Sequence, residues 1–133
     1  MLRNLILLFA FASLVACGEA HPNEVEVEYV YDGDTITVVR LGDQEHVRIR
    51  LMGYDTAEIK SSKCAREKAL ALEQKDALAS LIGDSIILQV EGKDRYGRTL
   101  AWGFTAVGQS VSEYMISEHN ARPYDGGKRR SWC

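Results

Sequence analysis

The stretch from Arg48 to Glu58 combines cationic side chains with a pair of carboxylates. Apolar residues alternate with Arg48 and Arg50, which predicts a strand that carries both arginines on one face. Gly53 breaks the alternation, and the chain then turns into Asp55 and Glu58. Guanidinium groups suit a phosphate, and clustered carboxylates suit a hard metal ion. This segment could therefore supply both halves of a metal-assisted site for phosphodiester chemistry.

Two more clusters of charged residues flank this stretch, and each cluster alone has an ordinary interpretation. Asp32-Gly33-Asp34-Thr35 is typical of a hairpin turn, and Asp55-Thr56-Ala57-Glu58 is typical of a helix cap. Asp94-Arg95-Tyr96-Gly97-Arg98 could be an exposed charged turn. The three clusters in this order, with Arg50 directly before the second, are far more specific than any one of them.

Alternating hydrophobicity predicts five strands around these clusters. The predicted strands are Glu24–Val30, Thr35–Leu41, the strand that carries Arg48 and Arg50, Ser85–Val90 and Thr99–Ala106. Tight turns join the first three strands, which predicts an antiparallel meander. The tail after Arg122 is expected to be irregular.

Two helices complete the predicted elements. Ala65–Ile82 has apolar residues at helical spacing and ends before Gly83, with Glu67 among the residues expected on its exposed side. Ser110–Glu118 suits a short helix that begins at a serine cap. Three strands, a long packing helix and two further strands predict a mainly β (α+β) fold, a five-stranded Greek-key barrel of the OB type.

The N-terminal residues predict export. Arg3 precedes the apolar run Leu5–Ala12, which is too short to remain as a membrane-spanning helix. Leu14-Val15-Ala16-Cys17 resembles the lipobox of bacterial lipoproteins, and Gly18 after the cysteine resembles the pattern of outer-membrane sorting. We therefore expect a signal peptide over residues 1–16, lipidation of Cys17, a tether to residue 23 and a folded domain over 24–133. Ordinary signal cleavage with Cys17 as a chance thiol is the alternative.

Cysteine count and charge restrict the class of protein further. If Cys17 carries lipid, Cys64 and Cys133 remain as a pair in an oxidising compartment, either as a disulfide or as two free thiols. The formal net charge of −3 argues against a protein that coats nucleic acid through a generally basic surface. Positive charge is instead local, which fits a localised site better than a surface that coats nucleic acid.

The three charged clusters together resemble the staphylococcal nuclease (thermonuclease) family. The matching segments are Tyr31–Thr35, Arg50–Glu58 and Asp94–Ala101. The resemblance covers roughly Val25–Arg122, and the ending Tyr124–Cys133 resembles that of compact bacterial members. It implies an OB-fold endonuclease that uses Ca²⁺ to hydrolyse DNA and RNA with little sequence specificity and leaves 3′-phosphates.

The resemblance also implies roles for individual residues. Asp34 and Asp55 would bind Ca²⁺ through their carboxylates, and Thr56 through its backbone carbonyl. Arg50, Glu58 and Arg98 would be catalytic, with Glu58 as general base and the arginines holding the scissile phosphate. Supporting positions near the metal or a terminal phosphate would be Asp32, Arg95 and Tyr96.

The chain departs from the family pattern at several positions. Ala57 replaces the proline usual before the catalytic glutamate, so we expect a less rigid turn and slower catalysis or weaker metal binding. His119-Asn120 replaces a common Gly-Leu pair, which predicts a different end to the short helix. Aromatic residues that would cradle a base are not evident, and Tyr124 is the candidate.

The leading hypothesis is a nuclease of the bacterial cell envelope, anchored by lipid in the outer membrane on its periplasmic side or at the surface. The runner-up is an OB-fold lipoprotein that binds nucleic acid without cutting it. A purely structural lipoprotein is the third possibility and requires three coincidences. The expected partners are DNA, RNA and the membrane; no protein partner is implied, and a monomer is expected.

Overall fold

The computed structural model describes residues 18–133. The predicted signal peptide and the predicted lipidation at Cys17 lie outside the described residues and stay predictions. Among residues 18–133, no helix is both long enough and apolar enough to cross a membrane.

The structure has seven strands and two helices among the described residues. Their bounds are β1 Glu24–Asp32, β2 Thr35–Leu41, β3 Gln44–Leu51, β4 Gly53–Asp55, α1 Ala65–Ile82, β5 Ser85–Lys93, β6 Thr99–Phe104, α2 Val111–Glu118 and β7 Arg122–Tyr124. Five of the strands close into a barrel, as predicted, in the order β1-β2-β3-β6-β5. All neighbours in the barrel are antiparallel except β3 and β6, which run parallel. A two-stranded sheet, β4 with β7, lies beside the barrel, so the fold is mainly β with two helices.

The barrel interior and the inner faces of both helices form one apolar core. Alternate residues of the strands point inward, and α1 and α2 cover the barrel with their apolar sides. Fully buried members include Ile36, Ile49, Leu51, Leu78 and Met115. The core therefore fixes the strand ends from which the charged clusters extend.

Helix α1 has the predicted bounds, but the expected exposure of Glu67 is wrong. Glu67 is buried, and its Oε2 accepts a hydrogen bond from the backbone N–H of Lys63 at 2.7 Å. Its own N–H points to Sγ of Cys64, the residue that caps the helix, at 3.4 Å. The Glu67 carboxylate, which was expected to face solvent, therefore satisfies the backbone N–H of Lys63, the residue before the N-cap.

The C-terminal tail is more ordered than predicted. Arg122–Tyr124 forms β7 and pairs with β4 in antiparallel register, Asp55 opposite Arg122. Helix α2 ends at Glu118 with His119 as its C-cap, and Asn120 adopts a left-handed φ of 55°. Asparagine tolerates this conformation, so it turns the chain where a glycine would otherwise serve. At the end of the tail, a disulfide joins Cys133 to Cys64.

Candidate active site

The two acidic turns of the predicted site lie against each other. Thr56 donates two hydrogen bonds to Asp34 Oδ2, from its N–H at 3.2 Å and from its hydroxyl at 3.1 Å. The turn before β2 approaches so closely that a Cβ on Gly33 would lie 2.7 Å from Thr56 Cγ2. The buried Tyr54 hydroxyl donates to the Gly33 carbonyl at 2.7 Å. Only glycine leaves room for this approach, which brings Asp34 beside the β4 turn.

Arg50 is the buried cation of this cluster. Its Nη2 lies 3.2 Å from Asp34 Oδ2 and 3.5 Å from Asp55 Oδ1. The same nitrogen donates to the Tyr54 carbonyl at 3.0 Å, and Nη1 donates to the carbonyl of Leu51. Backbone acceptors thus fix the plane of the guanidinium, which suits a group that must hold a phosphate in one geometry.

Several carboxyl groups lie close together in the two acidic turns. Burial, and next the charge of Asp34, raise the pKa of Asp32 to about 7. Burial also raises the pKa of Asp55, although Arg129 and Arg50 oppose the effect. A carboxyl group resists ionisation when it is removed from water and faces another carboxylate. Additional positive charge would stabilise the ionised cluster.

Arg129 supplies such charge in this structure, although the sequence analysis assigned it no role. Its Nη1 donates to Glu58 Oε1 at 2.6 Å, and its Nη2 lies 3.0 Å from Asp55 Oδ1. Nη2 also donates to the Thr56 carbonyl at 3.2 Å. Partial burial lowers the pKa of Arg129, but its contacts with the carboxylates of Asp55 and Glu58 outweigh this and raise it. Arg129 therefore contacts two of the three predicted metal ligands and the predicted general base.

The tail segment that carries Arg129 is held on both sides. Nη1 of Arg122 donates to the Ser131 carbonyl at 3.0 Å, and its guanidinium lies 3.6 Å from the centre of the Trp132 ring. The disulfide then ties Cys133 to the start of α1. The signal for Arg129 in the sequence was a basic run near the C-terminus, which does not say which distant carboxylates it meets.

The donor set fits a hard divalent cation. Asp34, Asp55 and the Thr56 carbonyl offer oxygen atoms, the ligands that Ca²⁺ prefers. Asp55 Oδ1 is buried and near two arginines, yet no N–H is aimed at it well enough for a hydrogen bond. This oxygen has unused capacity, so it can take a further partner.

Arg98, Arg95 and Tyr96 lie on a separate loop between β5 and β6. Asp94 organises the loop: its Oδ1 accepts from two backbone N–H groups, and its Oδ2 accepts from Arg98 Nε at 2.7 Å. Partial burial raises the pKa of Asp94, but these bonds with Arg98 and Tyr96 lower it overall. Among residues 18–133, Arg98 makes no ion pair with the clustered carboxylates of the other two turns.

A cavity of about 570 Å³ lies between this loop and Arg50, the cation that contacts the acidic cluster. Arg50 and Arg98 both line it, so the two arginines face the same space although they come from different elements. Tyr124, the candidate for cradling a base, lines this cavity together with Tyr96 and Trp102. Trp102 was not predicted as a site residue, because it lies within a strand whose pattern is typical of ordinary core.

Ala57 is held by a side chain in place of a proline ring. Its N–H donates to Oε1 of the fully buried Gln74 at 2.8 Å, and Gln74 Nε2 donates to the His119 carbonyl at 2.9 Å. Gln74 therefore joins the turn before Glu58 to α1 and to the end of α2. Proline has no N–H, so it could not take part in this connection.

The chain is similar to known proteins over most of its length. A model of the family described as "Staphylococcal nuclease homologue" matches residues 48–131. Proteins named "Uncharacterized endonuclease" from Escherichia coli O157:H7 and Escherichia coli are each 31% identical over 121 residues, covering 90% of this chain and 71% of the relative. A protein of the same name from Haemophilus influenzae is 32% identical over 125 residues, covering 93% of this chain and 64% of the relative. The family match begins at Arg48, after the Asp32–Asp34 turn, and ends beyond Arg129.

Proposed function

Because the chain belongs to the family of staphylococcal nuclease homologues, we propose that it is a Ca²⁺-dependent endonuclease. Its reaction is the hydrolysis of phosphodiester bonds in DNA and RNA with little sequence specificity, leaving 3′-phosphates. The observation that carries the proposal is the fixed position of Arg50, which lies between Asp34 and Asp55 and faces a cavity that Arg98 also lines. A scissile phosphate in that cavity would meet two guanidinium groups.

Asp34, Asp55 and the Thr56 carbonyl would hold the Ca²⁺ ion. When bound, the ion supplies positive charge beside the phosphate and a more acidic water. Gly33 and Tyr54 contribute indirectly, because they keep the two acidic turns in contact. The raised pKa of Asp32 supports the same assignment, since a nearby cation would stabilise the ionised form of this carboxyl group.

The arginines and Glu58 would carry out complementary parts of the reaction. Arg50 and Arg98 would stabilise the negative charge that grows on the phosphoryl oxygens as water attacks. Glu58 would accept the proton of that water. Since Glu58 Oε1 is bound to Arg129 in this structure, this oxygen can accept a proton only when the ion pair opens.

We also propose that the protein works at the bacterial cell envelope, held by lipid on Cys17. The supporting observations are the apolar run Leu5–Ala12 and the lipobox-like Leu14–Cys17. Metabolic labelling with a fatty-acid analogue tests the anchor, because a Cys17→Ser variant should lose the label. An OB-fold lipoprotein that binds nucleic acid without cutting it is the second candidate.

The Glu58→Gln substitution separates the two candidates. Plasmid DNA and single-stranded RNA are incubated with the protein in Ca²⁺ or in EGTA. We expect cutting in Ca²⁺ only, and a loss of about 100-fold in the Glu58→Gln variant, with retained binding. Glu118→Gln, on the exposed end of α2, is the matched control and should cut normally. Binding without any cutting over a range of divalent ions would favour the non-catalytic candidate.

A further inference from the structure

A second groove lies next to the candidate active site, on the outer face of the barrel. Strands β1, β2 and β3 form its floor and the loop between β5 and β6 forms one wall, enclosing about 1040 Å³. We call it the tyrosine face, defined by Tyr29, Tyr31, Arg48, Lys93 and Tyr96. None of the predicted metal ligands lines this groove, so the proposed metal chemistry does not account for it.

The sheet register places a row of these side chains in line with Arg98. Tyr29 pairs with Thr37, and Thr37 pairs with Arg48, so the three share one face across β1, β2 and β3. In the parallel pair β3 and β6, Ile49 is opposite Thr99, which brings Arg48 beside Arg98. At about 4.8 Å between strands, the row from Tyr29 to Arg98 is roughly 14 Å long. The tyrosine face thus leads directly to a residue of the candidate active site.

Aromatic rings are exposed along this row. Tyr29 is 50% exposed and Tyr96 is 71% exposed. The ring of Tyr31 meets Tyr29 edge-on with 4.8 Å between ring centres, and the Arg48 guanidinium lies 4.1 Å from the centre of the Tyr31 ring. Exposed rings and a flat guanidinium on a strand face are surfaces on which unpaired bases stack.

The free charge of the tyrosine face is positive, in a chain whose net charge is −3. Glu45, which borders the groove, forms an ion pair with Arg40, and Glu28 is bound by His46 at 2.9 Å. Within the described part of the chain, Arg48 and Lys93 form no ion pair with a carboxylate. Two cations without counter-ions between exposed rings complement a phosphate backbone whose bases turn toward the protein.

We propose that the tyrosine face binds a single strand of nucleic acid on one side of the bond to be cut. Its bases stack on Tyr29 and Tyr96, and its phosphates contact Arg48 and Lys93. A duplex hides its bases within the helix and cannot stack on these rings, so the preferred substrate is single-stranded. That the bound strand is a substrate rests on the proposed nuclease function. The binding itself does not depend on that function.

The test measures binding without cutting. Fluorescence anisotropy in EGTA compares a single strand of about eight nucleotides, within the range that one OB fold covers, with a duplex of the same sequence. The single strand should bind more tightly to the unchanged protein. Tyr29→Leu should weaken its binding about tenfold, because a leucine keeps the bulk but offers no aromatic face.

Arg48→Gln and Lys93→Gln test the phosphate contacts. Each should reduce the salt dependence of single-strand binding by a slope of about 0.7, the value for one phosphate contact on a single strand. Lys68→Gln, an exposed lysine of α1 outside the groove, is the matched control and should leave the slope unchanged. Thermal unfolding of each variant shows whether it folds.

The failure of this inference can be told from failure of the proposed function. If the unchanged protein binds the strand through this face but cuts nothing in Ca²⁺, the nuclease proposal fails and the binding face stands. If it cuts a dinucleotide while Tyr29→Leu, Arg48→Gln and Lys93→Gln bind the long strand normally, the binding face is overturned. Equal affinity for the single strand and the duplex would also overturn it. So would an acidic peptide that binds the protein more tightly than the strand does and displaces it.

Discussion

Arg129→Gln should tighten the binding of Ca²⁺. In this structure the Arg129 guanidinium contacts Asp55, Glu58 and the Thr56 carbonyl, so it uses oxygen atoms that a bound cation would need. Binding of Ca²⁺ must therefore displace the guanidinium or share the oxygens with it. Glutamine keeps much of the length of the side chain but has no charge, so it competes less strongly with Ca²⁺ for these oxygen atoms.

The size of the effect follows from the contacts that must open. Arg129 is 40% exposed at its side chain, so solvent screens both ion pairs. Each pair then contributes about 0.2–1 kcal/mol, and the hydrogen bond to the Thr56 carbonyl about 0.5–1.5 kcal/mol. Together the three contacts contribute about 0.9–3.5 kcal/mol, and a change in the lower part of that range, about 1.4 kcal/mol, corresponds to a tenfold change in the dissociation constant.

Isothermal titration calorimetry with Ca²⁺ measures this change. Arg130→Gln is the matched control, because it removes the same charge from the neighbouring exposed position, which has no side-chain contact with the acidic cluster. We expect Arg129→Gln to bind Ca²⁺ about tenfold more tightly than Arg130→Gln. Equal affinities, or weaker binding by Arg129→Gln, would refute the idea that Arg129 competes with the cation.

Three further variants test the supports of the site. Ala57→Pro should lower the free energy of unfolding by about 1–3 kcal/mol in urea, because it leaves Gln74 Oε1 buried without a donor; an increase would contradict the role of Gln74. Cys64→Ser with Cys133→Ser should cost about 2–4 kcal/mol in the same assay, since serine preserves the helix cap but not the cross-link; unchanged stability would refute this. Without Ca²⁺, unfolding free energy should fall as pH rises from about 4 to about 7, because the folded state holds a proton on Asp32 that the unfolded state has released. Asp32→Asn should remove that slope, and a slope that persists would exclude Asp32 as its source.

The barrel was predictable because its signals are local. Thr35–Leu41 and Ala65–Ile82 match the structure to the residue, since β-branched alternation, helical spacing and flanking glycines mark their ends. The strand that ends at Lys93 is longer than the predicted Ser85–Val90, because pairing with β6 carries it past the end of its apolar pattern. The strand predicted to end at Ala106 instead stops at Phe104.

Contacts between distant segments were not predictable in the same way. The β4–β7 pair involves three residues on each strand, too few to leave a periodic pattern. Burial of Glu67 depends on a cap that a cysteine begins, which is not a usual capping residue. Arg129 reaches Glu58 across 71 positions of sequence, and only the fold brings the tail to the acidic turns.

The same distinction between local signals and distant contacts applies to the site residues. The family resemblance assigned Asp34, Asp55 and Arg50 to one site, and the structure brings them into contact. The sequence did not show that Asp94 orients Arg98, or that Gln74 replaces a proline as the support of the turn before Glu58. Supporting contacts depend on which side chains meet in space, which residue types alone do not show. The predicted catalytic and metal-binding groups could be named because the proposed chemistry requires their residue types.

We propose that a cation held by Asp34 and Asp55 enables cutting. The rate of cutting of a single-stranded oligonucleotide is measured across a Ca²⁺ titration for the unchanged protein and for Asp55→Asn, with Asp76→Asn on the exposed side of α1 as control. We predict a saturable dependence on Ca²⁺, and a half-saturating concentration raised at least about tenfold in Asp55→Asn alone. Cutting that persists in EGTA, or that responds to Ca²⁺ equally in both variants, would contradict the claim.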